Sequence, residues 1–191
     1  MAARTGERKA QILQVLAEML QNPKGEKITT AALAARLEVS EAALYRHFAS
    51  KAQMYEGLIA FIEESVFGLI NKISAEQQSG VKQAHAIAAM LLTFAEKNPG
   101  MTRVLIGDVL LNEDTRLQVR INQLHDRLEA TLKQSLRLAV TQGEADKETD
   151  VAAQANLMLA YITGRWHQFA KSGFKRLPTE LWQKQGPMLL G

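Results

Sequence analysis

The sequence predicts an all-α protein, and three observations predict it. Apolar residues recur at spacings of three and four, as in Leu117, Ile121, Leu124, Leu128, Leu132 and Leu136, which is the period of one buried helix face. Alternating apolar and polar runs of the kind that make half-buried strands are few, and the chain has only four prolines. Breaks such as Asn22 to Gly25 and Asn98 to Gly100 divide the chain into runs of helical length. At 191 residues and 47% hydrophobic content, there is room for one large or two small domains with a filled core.

Met1 to Gly6 reads as an arm in which Arg4, with Arg8 and Lys9 beyond it, either reaches phosphates or a minor groove or lies in solvent. A first helix is expected from Glu7 to Gln21, with Ile12, Leu16, Met19 and Leu20 inward, stopped by Asn22 to Gly25. A second short helix, capped by Thr29 or Thr30, buries Leu33 and Leu37. Leu37 to Ser40 makes a turn, in which a left-handed Glu38 would cost about 1 kcal/mol.

The stretch from Ser40 to Lys51 then reads as a helix built for a groove. Ser40 is an N-cap, and Glu41 suits the positive end of the helix dipole. Leu44 and Phe48 share one inward face, leaving Ala42, Ala43, Tyr45, Arg46 and His47 outside. Two alanines permit close approach, while tyrosine, arginine and histidine supply donors for phosphate oxygens and base edges. Two short helices across a tight turn make a helix-turn-helix, whose second member enters the major groove.

The charge agrees. The net formal charge is +3, and residues 1–55 hold 8 Lys and Arg against 5 Asp and Glu, whereas residues 56–191 hold 15 of each. The excess lies where a DNA footprint belongs. No apolar run nears the roughly 20 residues that cross a bilayer, the longest being Ala86 to Ala95. No charged-then-apolar leader precedes it, so a cytoplasmic protein without membrane contact is expected. The chain has no cysteine, which excludes thiolate nucleophiles and Cys-based zinc.

Ser50 and Gln53 form a capping box that opens a fourth helix with Lys51 at its N-terminus, an anion site suited to a DNA phosphate. Its apolar set runs Met54, Leu58, Phe61, Ile62, Val66 and Ile70, to about Ile73. After a polar loop, Ala75 to Gly80, a helix from Val81 to Lys97 has an almost continuous apolar middle, Ile87 to Phe94. A short helix from Met101 follows, and Asn112 to Thr115 starts the next. The stripe from Leu117 to Leu136 lies on that helix. Beyond the charged connection Gln142 to Thr149, the helix from Asp150 to Lys171 places Ala155, Leu159, Ile162, Trp166 and Phe169 on one seam. Two seams suggest a two-fold four-helix interface, so Leu117, Ile121, Leu124, Leu128, Leu159, Ile162, Trp166 and Phe169 are expected to hold a homodimer together. Leu177 to Thr179 caps a last short helix ending near Leu190. The division expected is residues 1–52 for DNA binding and residues 53–191 for a helical dimerisation domain.

Thr29 to Lys51, with its small residues, Val39-Ser40 turn and Leu44-Tyr45-Arg46-His47-Phe48 ahead of Ser50-Lys51, resembles the DNA-binding domain of the TetR family. Lys97 to Arg103, Arg116 to Leu124, Phe169 to Lys175 and Pro178 resemble the nucleoid occlusion branch of that family. The resemblance implies a dimeric, nucleoid-associated protein that binds palindromic chromosomal sites and engages the C-terminal tail of the division protein FtsZ, blocking ring assembly over DNA. It also implies a tail groove between the fourth and fifth helices, bounded by Phe61 and Ser65 on one side and Met90, Thr93, Phe94 and Lys97 on the other. Phe61, Met90 and Phe94 equally suit a core.

In such a protein the DNA-binding set is Thr29, Thr30, Ser40, Ala42, Ala43, Tyr45, Arg46, His47 and Lys51. Tyr45, His47 and Lys51 would hold phosphates, while Thr29, Ser40, Ala42, Ala43 and Arg46 are better placed for base edges or thymine methyls. Two reading helices about 34 to 36 Å apart require a near-palindromic operator. A ligand-responsive repressor is the rival within the family, and it requires an apolar cavity with convergent polar groups. An enzyme is disfavoured: His47, His85, His125 and His167 lack metal-ligand spacing, no phosphate-binding glycine loop is present, and Glu63-Glu64 and Glu113-Asp114 read as solvated pairs. No cofactor or metal is expected.

Overall fold

The computed structural model describes residues 2–22 and 28–190, with the side chains of residues 6–22 and 28–190. Among these residues every regular element is helical. They are α1 (Ala2–Met19), α2 (Thr30–Arg36), α3 (Glu41–Tyr45), α4 (Lys51–Glu76), α5 (Gly80–Lys97), α6 (Pro99–Leu105), α7 (Thr115–Gln142), α8 (Val151–Lys171) and α9 (Trp182–Leu190). The first helix takes in residues 2–6, expected as an arm. Pro23, Lys24 and Gly25 of the expected stop lie outside the described residues.

Local chemistry sets the starts. Side-chain oxygens of Thr29, Ser40, Ser50, Ser79, Asp114 and Asp150 accept backbone N–H groups in the first turns of α2, α3, α4, α5, α7 and α8. Asn98 opens α6 without such a bond, and Pro99 sits in the first turn, where its missing N–H costs nothing. The last helix begins at Trp182 rather than beside Pro178, because residues 177–181 form turns pinned by Arg165: its guanidinium donates to the carbonyls of Pro178 (3.1 Å) and Leu177 (2.6 Å).

α5, α7 and α8 pack together, with α4 on one flank and α6 and α9 covering the ends. Their centre is filled: Ile87, Leu91, Leu92, Leu124, Leu132, Met158, Ile162 and Trp166 are buried to 1% exposure or less, and the Trp166 indole N–H donates to the Leu91 carbonyl at 3.2 Å. That arrangement corrects the expected dimer seam. Leu117, Ile121, Leu124, Leu128, Leu159, Ile162, Trp166 and Phe169 are all buried, none more than 8% exposed, and the layer that covers them belongs to the same chain. A second copy cannot touch side chains already enclosed, so any interface uses other faces.

α1, α2 and α3 form a smaller layer against the start of α4, around Ile12, Leu16, Leu33, Leu44, Phe48 and Leu58. It is seated on the body by α6. A Cβ on Gly100 would stand 1.9 Å from the Ala17 carbonyl oxygen, so only glycine permits α6 to approach α1 so closely. The Arg103 side chain reinforces the contact, reaching the carbonyls of Leu20 and Asn22 at 3.4 Å each and the Asp108 carboxylate at 3.3 Å. Further along, Arg120 on α7 holds the Glu63 carboxylate at 2.7 Å and the Glu56 carbonyl at 3.2 Å on α4. Glu63 is therefore a paired group, not the solvated one expected.

Candidate nucleic-acid interface

The candidate reader is α2, the turn after it, α3 and the start of α4. The Thr29 hydroxyl accepts the Ala32 N–H at 3.1 Å, which fixes the cap as Thr29. The chain then turns back sharply: the Val39 N–H donates to the Ala34 carbonyl at 3.0 Å, and Glu38 takes φ 55°. Glu38 thus takes the left-handed conformation considered for it from the sequence, and a residue with a Cβ pays strain to hold it. Ser40 caps α3 by accepting the Ala43 N–H at 3.3 Å. The helix is brief: α3 proper ends at Tyr45, and Arg46 to Ser50 lead by turns into α4.

The inward pair is Leu44 and Phe48, at 1% and 7% exposure. Thr29, Ser40, Ala42, Tyr45 and Arg46 face solvent, while Thr30, Ala43, His47 and Lys51 are half-buried. Tyr45 is 45% exposed, so its ring is free to meet a partner molecule. Its hydroxyl lies 3.5 Å from Thr30 Oγ1, and the Thr30 hydroxyl donates to the Glu41 carboxylate at 2.6 Å, so α2 and α3 are tied on their outer side. Two residues depart from expectation. His47 Nδ1 is enclosed with no hydrogen-bond partner among the described residues, which leaves only part of its ring facing out. Lys51 opens α4 as expected, with the Gln53 N–H donating to Ser50 Oγ (3.2 Å) and Gln53 Oε1 accepting the Ala49 N–H (2.9 Å). Its ammonium, however, is paired with Glu113 and lies 5.7 Å from the Tyr55 ring centre. Glu113 is thus partly buried and paired, against the solvated reading.

The second candidate surface lies on α4 and α5. Phe61, expected along the apolar run of α4, is 47% exposed. Ser65, Met90, Thr93 and Phe94 are half-buried and Lys97 is exposed. The Thr93 hydroxyl donates to the Ala89 carbonyl at 2.8 Å, so its hydrogen bond is spent within α5. Leu69, two turns beyond Phe61, is 42% exposed and extends the same apolar stripe. Sequence reasoning passed over it; the i, i+4, i+8 spacing of Phe61, Ser65 and Leu69 was the available signal. A cleft of about 380 Å³ beside Phe61 is lined by Leu13 and Ala17 of α1, Leu58, Asn98 and Met101. The α1 wall had no signal in the spacing of α4.

The histidines do not converge on a site: His85 stacks on Trp182 (4.9 Å) and His125 lies beside Trp166 (6.0 Å). Among the described residues no group of three or more His, Asp or Glu side chains is placed to hold a metal ion. None of the described helices is long and apolar enough to cross a membrane. Burial lowers the His125 imidazole below its ordinary range, although a bond to the Leu105 backbone opposes this. The Arg116 side chain, by hydrogen bonding, lowers the pKa of half-buried Asp114 to about 2.

Comparison with known proteins locates this geometry. Residues 17–58 match the model for bacterial regulatory proteins of the tetR family, and residues 78–191 match the SlmA-like, tetracyclin repressor-like C-terminal domain. The chain is 49% identical to the nucleoid occlusion factor SlmA of Idiomarina loihiensis, across 97% of this chain and 94% of that protein. It is 51% identical to the protein of the same name from Shewanella pealeana, across 93% and 90%. The chain belongs to the SlmA family of TetR-type proteins. Its fold also matches that of the transcriptional regulator FadR from Bacillus subtilis in complex with stearoyl-CoA, with a TM-score of 0.78 over 95% of this chain and 97% of that one, at 14% identity. That likeness is one of fold alone. Membership of the SlmA family makes the helix-turn-helix a DNA-binding element and the protein a nucleoid occlusion factor by family.

Proposed function

We propose that this protein is a dimeric, sequence-specific DNA-binding factor which, seated on palindromic chromosomal sites, engages the C-terminal tail of FtsZ and opposes ring assembly over the nucleoid. Residues 1–52 read DNA, and residues 53–191 dimerise and hold the tail. Thr29, Ser40, Ala42, Ala43 and Arg46 face base edges; Tyr45, the outer part of His47 and Lys51 contact phosphates, and Thr30 braces Glu41 and Tyr45 from α2. Phe61, Ser65, Met90, Thr93, Phe94 and Lys97 border the tail groove, and Leu69 extends it. The observation that carries the reading is that one chain exposes two unrelated surfaces, Tyr45 with Arg46 on α3 and Phe61 with Leu69 on α4.

The dimer is assigned to the outward face of α8. Ala153, Leu157, Ala160 and Gly164 recur at helical spacing and are all exposed, Leu157 at 54%. Nothing within 4 Å would meet a Cβ on Gly164. Small residues beside one leucine let two helices approach closely. The rival ligand-responsive repressor needs an enclosed cavity in the body; the bundle centre is filled by Trp166 and its neighbours, and the hollow of about 510 Å³ between α4, α5 and α7, lined by Phe67, Ile70, Gln83, Thr131 and Ser135 among others, opens to solvent.

Selection of bound duplexes from a random pool, followed by retention of an FtsZ tail peptide with and without the selected DNA, tests the proposal. The expected result is a near-palindromic consensus and peptide retention by the DNA-bound protein. A consensus without symmetry removes the dimeric reader; no retention under either condition removes the FtsZ role.

A further inference from the structure

We propose that Glu113 is an internal counter-ion that DNA must displace: it occupies the Lys51 ammonium in the unbound protein and sets the affinity for the phosphate backbone. The inference rests on Lys51 being a phosphate contact.

Lys51 is the first residue of α4, and a cation there faces the positive end of a helix dipole. Such a placement calls for an anion. In this structure the anion is the Glu113 carboxylate, 62 residues away in sequence and carried by the turn between α6 and α7. The pair is sheltered, the side chains being 22% and 15% exposed, so solvent screens it less than a surface ion pair. The Tyr55 ring lies under the ammonium at 5.7 Å and offers it a second attraction on the body's side. Burial, with the Glu113 charge beside it, pushes the Tyr55 hydroxyl far above its ordinary range, so the phenol stays neutral and cannot replace Glu113 as the anion.

The surroundings hold Glu113 in place. The Glu113 N–H donates to the Leu110 carbonyl at 3.0 Å, and the same segment is anchored to α1 through Arg103, which bonds Asp108 and the carbonyls at the end of α1. The carboxylate is therefore fixed relative to the reader. One ammonium then faces two anions, this carboxylate and a backbone phosphate. If Lys51 turns to the phosphate, Glu113 is left as an uncompensated negative charge near a polyanion, which opposes binding. If it stays, DNA loses one cationic contact. Either way Glu113 lowers affinity for every sequence alike. By linkage, bound DNA loosens the tie between α4 and the turn before α7.

The test is the salt dependence of binding to a selected palindromic duplex for the full-length wild type, Glu113→Gln, Lys51→Ala and the double variant. Glu113→Gln is expected to tighten binding by at least about threefold and to steepen the log–log salt slope by about 0.9 per subunit, one released counterion. In the Lys51→Ala background the same change is expected to give a clearly smaller gain, that of the carboxylate's repulsion by the duplex alone. Unchanged or weaker binding by folded Glu113→Gln overturns the proposal, and so does an equal gain without Lys51, which would make Glu113 a general repulsive charge. Should Glu113→Gln unfold, Glu113→Asp, one methylene short of Lys51, is expected to show a smaller gain of the same sign, and no gain overturns the proposal. If Lys51→Ala binds as the wild type does, it is the phosphate assignment of Lys51 that fails.

Discussion

Glu38 holds φ at 55° in the turn between α2 and α3, where the chain needs a residue that bends without strain. Its side chain is exposed, and among the described residues it makes no hydrogen bond or ion pair that repays the conformation. Glu38→Gly is expected to raise stability by about 1 kcal/mol, read as a higher urea midpoint at unchanged slope; a lower midpoint would mean that the glutamate contributes something else. The sequence pointed to this position only through the TetR-family resemblance, since that family often carries glycine at this place in the turn. The Lys51–Glu113 pair was not legible, since nothing local to either residue points across 62 positions. His125 shows the same limit: its burial beside Trp166 follows from packing of α7 on α8. Held below its ordinary 6.5, it stays neutral in the fold while the unfolded chain takes up a proton. Its contribution to stability is complete above 6.5 and is lost as pH falls below that value. Between about pH 7 and pH 5.5 the wild type is expected to lose more stability than His125→Gln, measured by urea unfolding at each pH; parallel curves would contradict the burial argument.

At the level of elements, periodicity told which residues share a helix face and left open which layer covers that face. Leu124 and Trp166 sit on seams of the right spacing, yet the cover is supplied by α5, α7 and α8 of the same chain. Phe61 suited a groove or a core equally by its spacing; it falls within an apolar run of α4, but α4 lies at the flank of the bundle, so part of its circumference has no neighbour. α8 carries both lessons, with Ile162 and Trp166 inward and Leu157 outward. The two faces are expected to respond differently. Leu124→Ala, which empties a filled core position on α7, should cost about 2 to 5 kcal/mol in unfolding. Leu157→Glu should leave that free energy per folded subunit nearly unchanged while halving the mass seen by sedimentation equilibrium, because it places a charge in the middle of the proposed α8 interface. A Leu157→Glu protein that stays dimeric would move the interface off α8.

Taken as a whole, the molecule sets its reader on its body through α6 and through the turn that follows it. Gly100 brings α6 onto α1, Arg103 clasps the end of α1, and Glu113 reaches the start of α4. Only the Phe61 edge of the candidate tail groove reaches this joint, where the cleft beside that ring is walled by α1 as well as by Leu58, Asn98 and Met101. The proposed DNA-reading residues and Phe61 are nonetheless on different elements, with Tyr45 and Arg46 on α3 and its C-cap and Phe61 three turns into α4. Two activities built on separate surfaces should be separable by substitution. Phe61→Ala removes an exposed ring, so it is expected to leave the unfolding midpoint and the affinity for a selected duplex within about twofold of wild type. Retention of the FtsZ tail peptide should fall by about tenfold or more, as expected when an aromatic anchor is truncated at the centre of a small interface. Arg46→Ala should do the reverse, weakening DNA binding by about 1 to 3 kcal/mol with the tail peptide still retained by unbound protein to the same extent as by wild type. Loss of both activities in either variant would show that the two surfaces are one site, and would require the groove to be redrawn across α1 toward the reader.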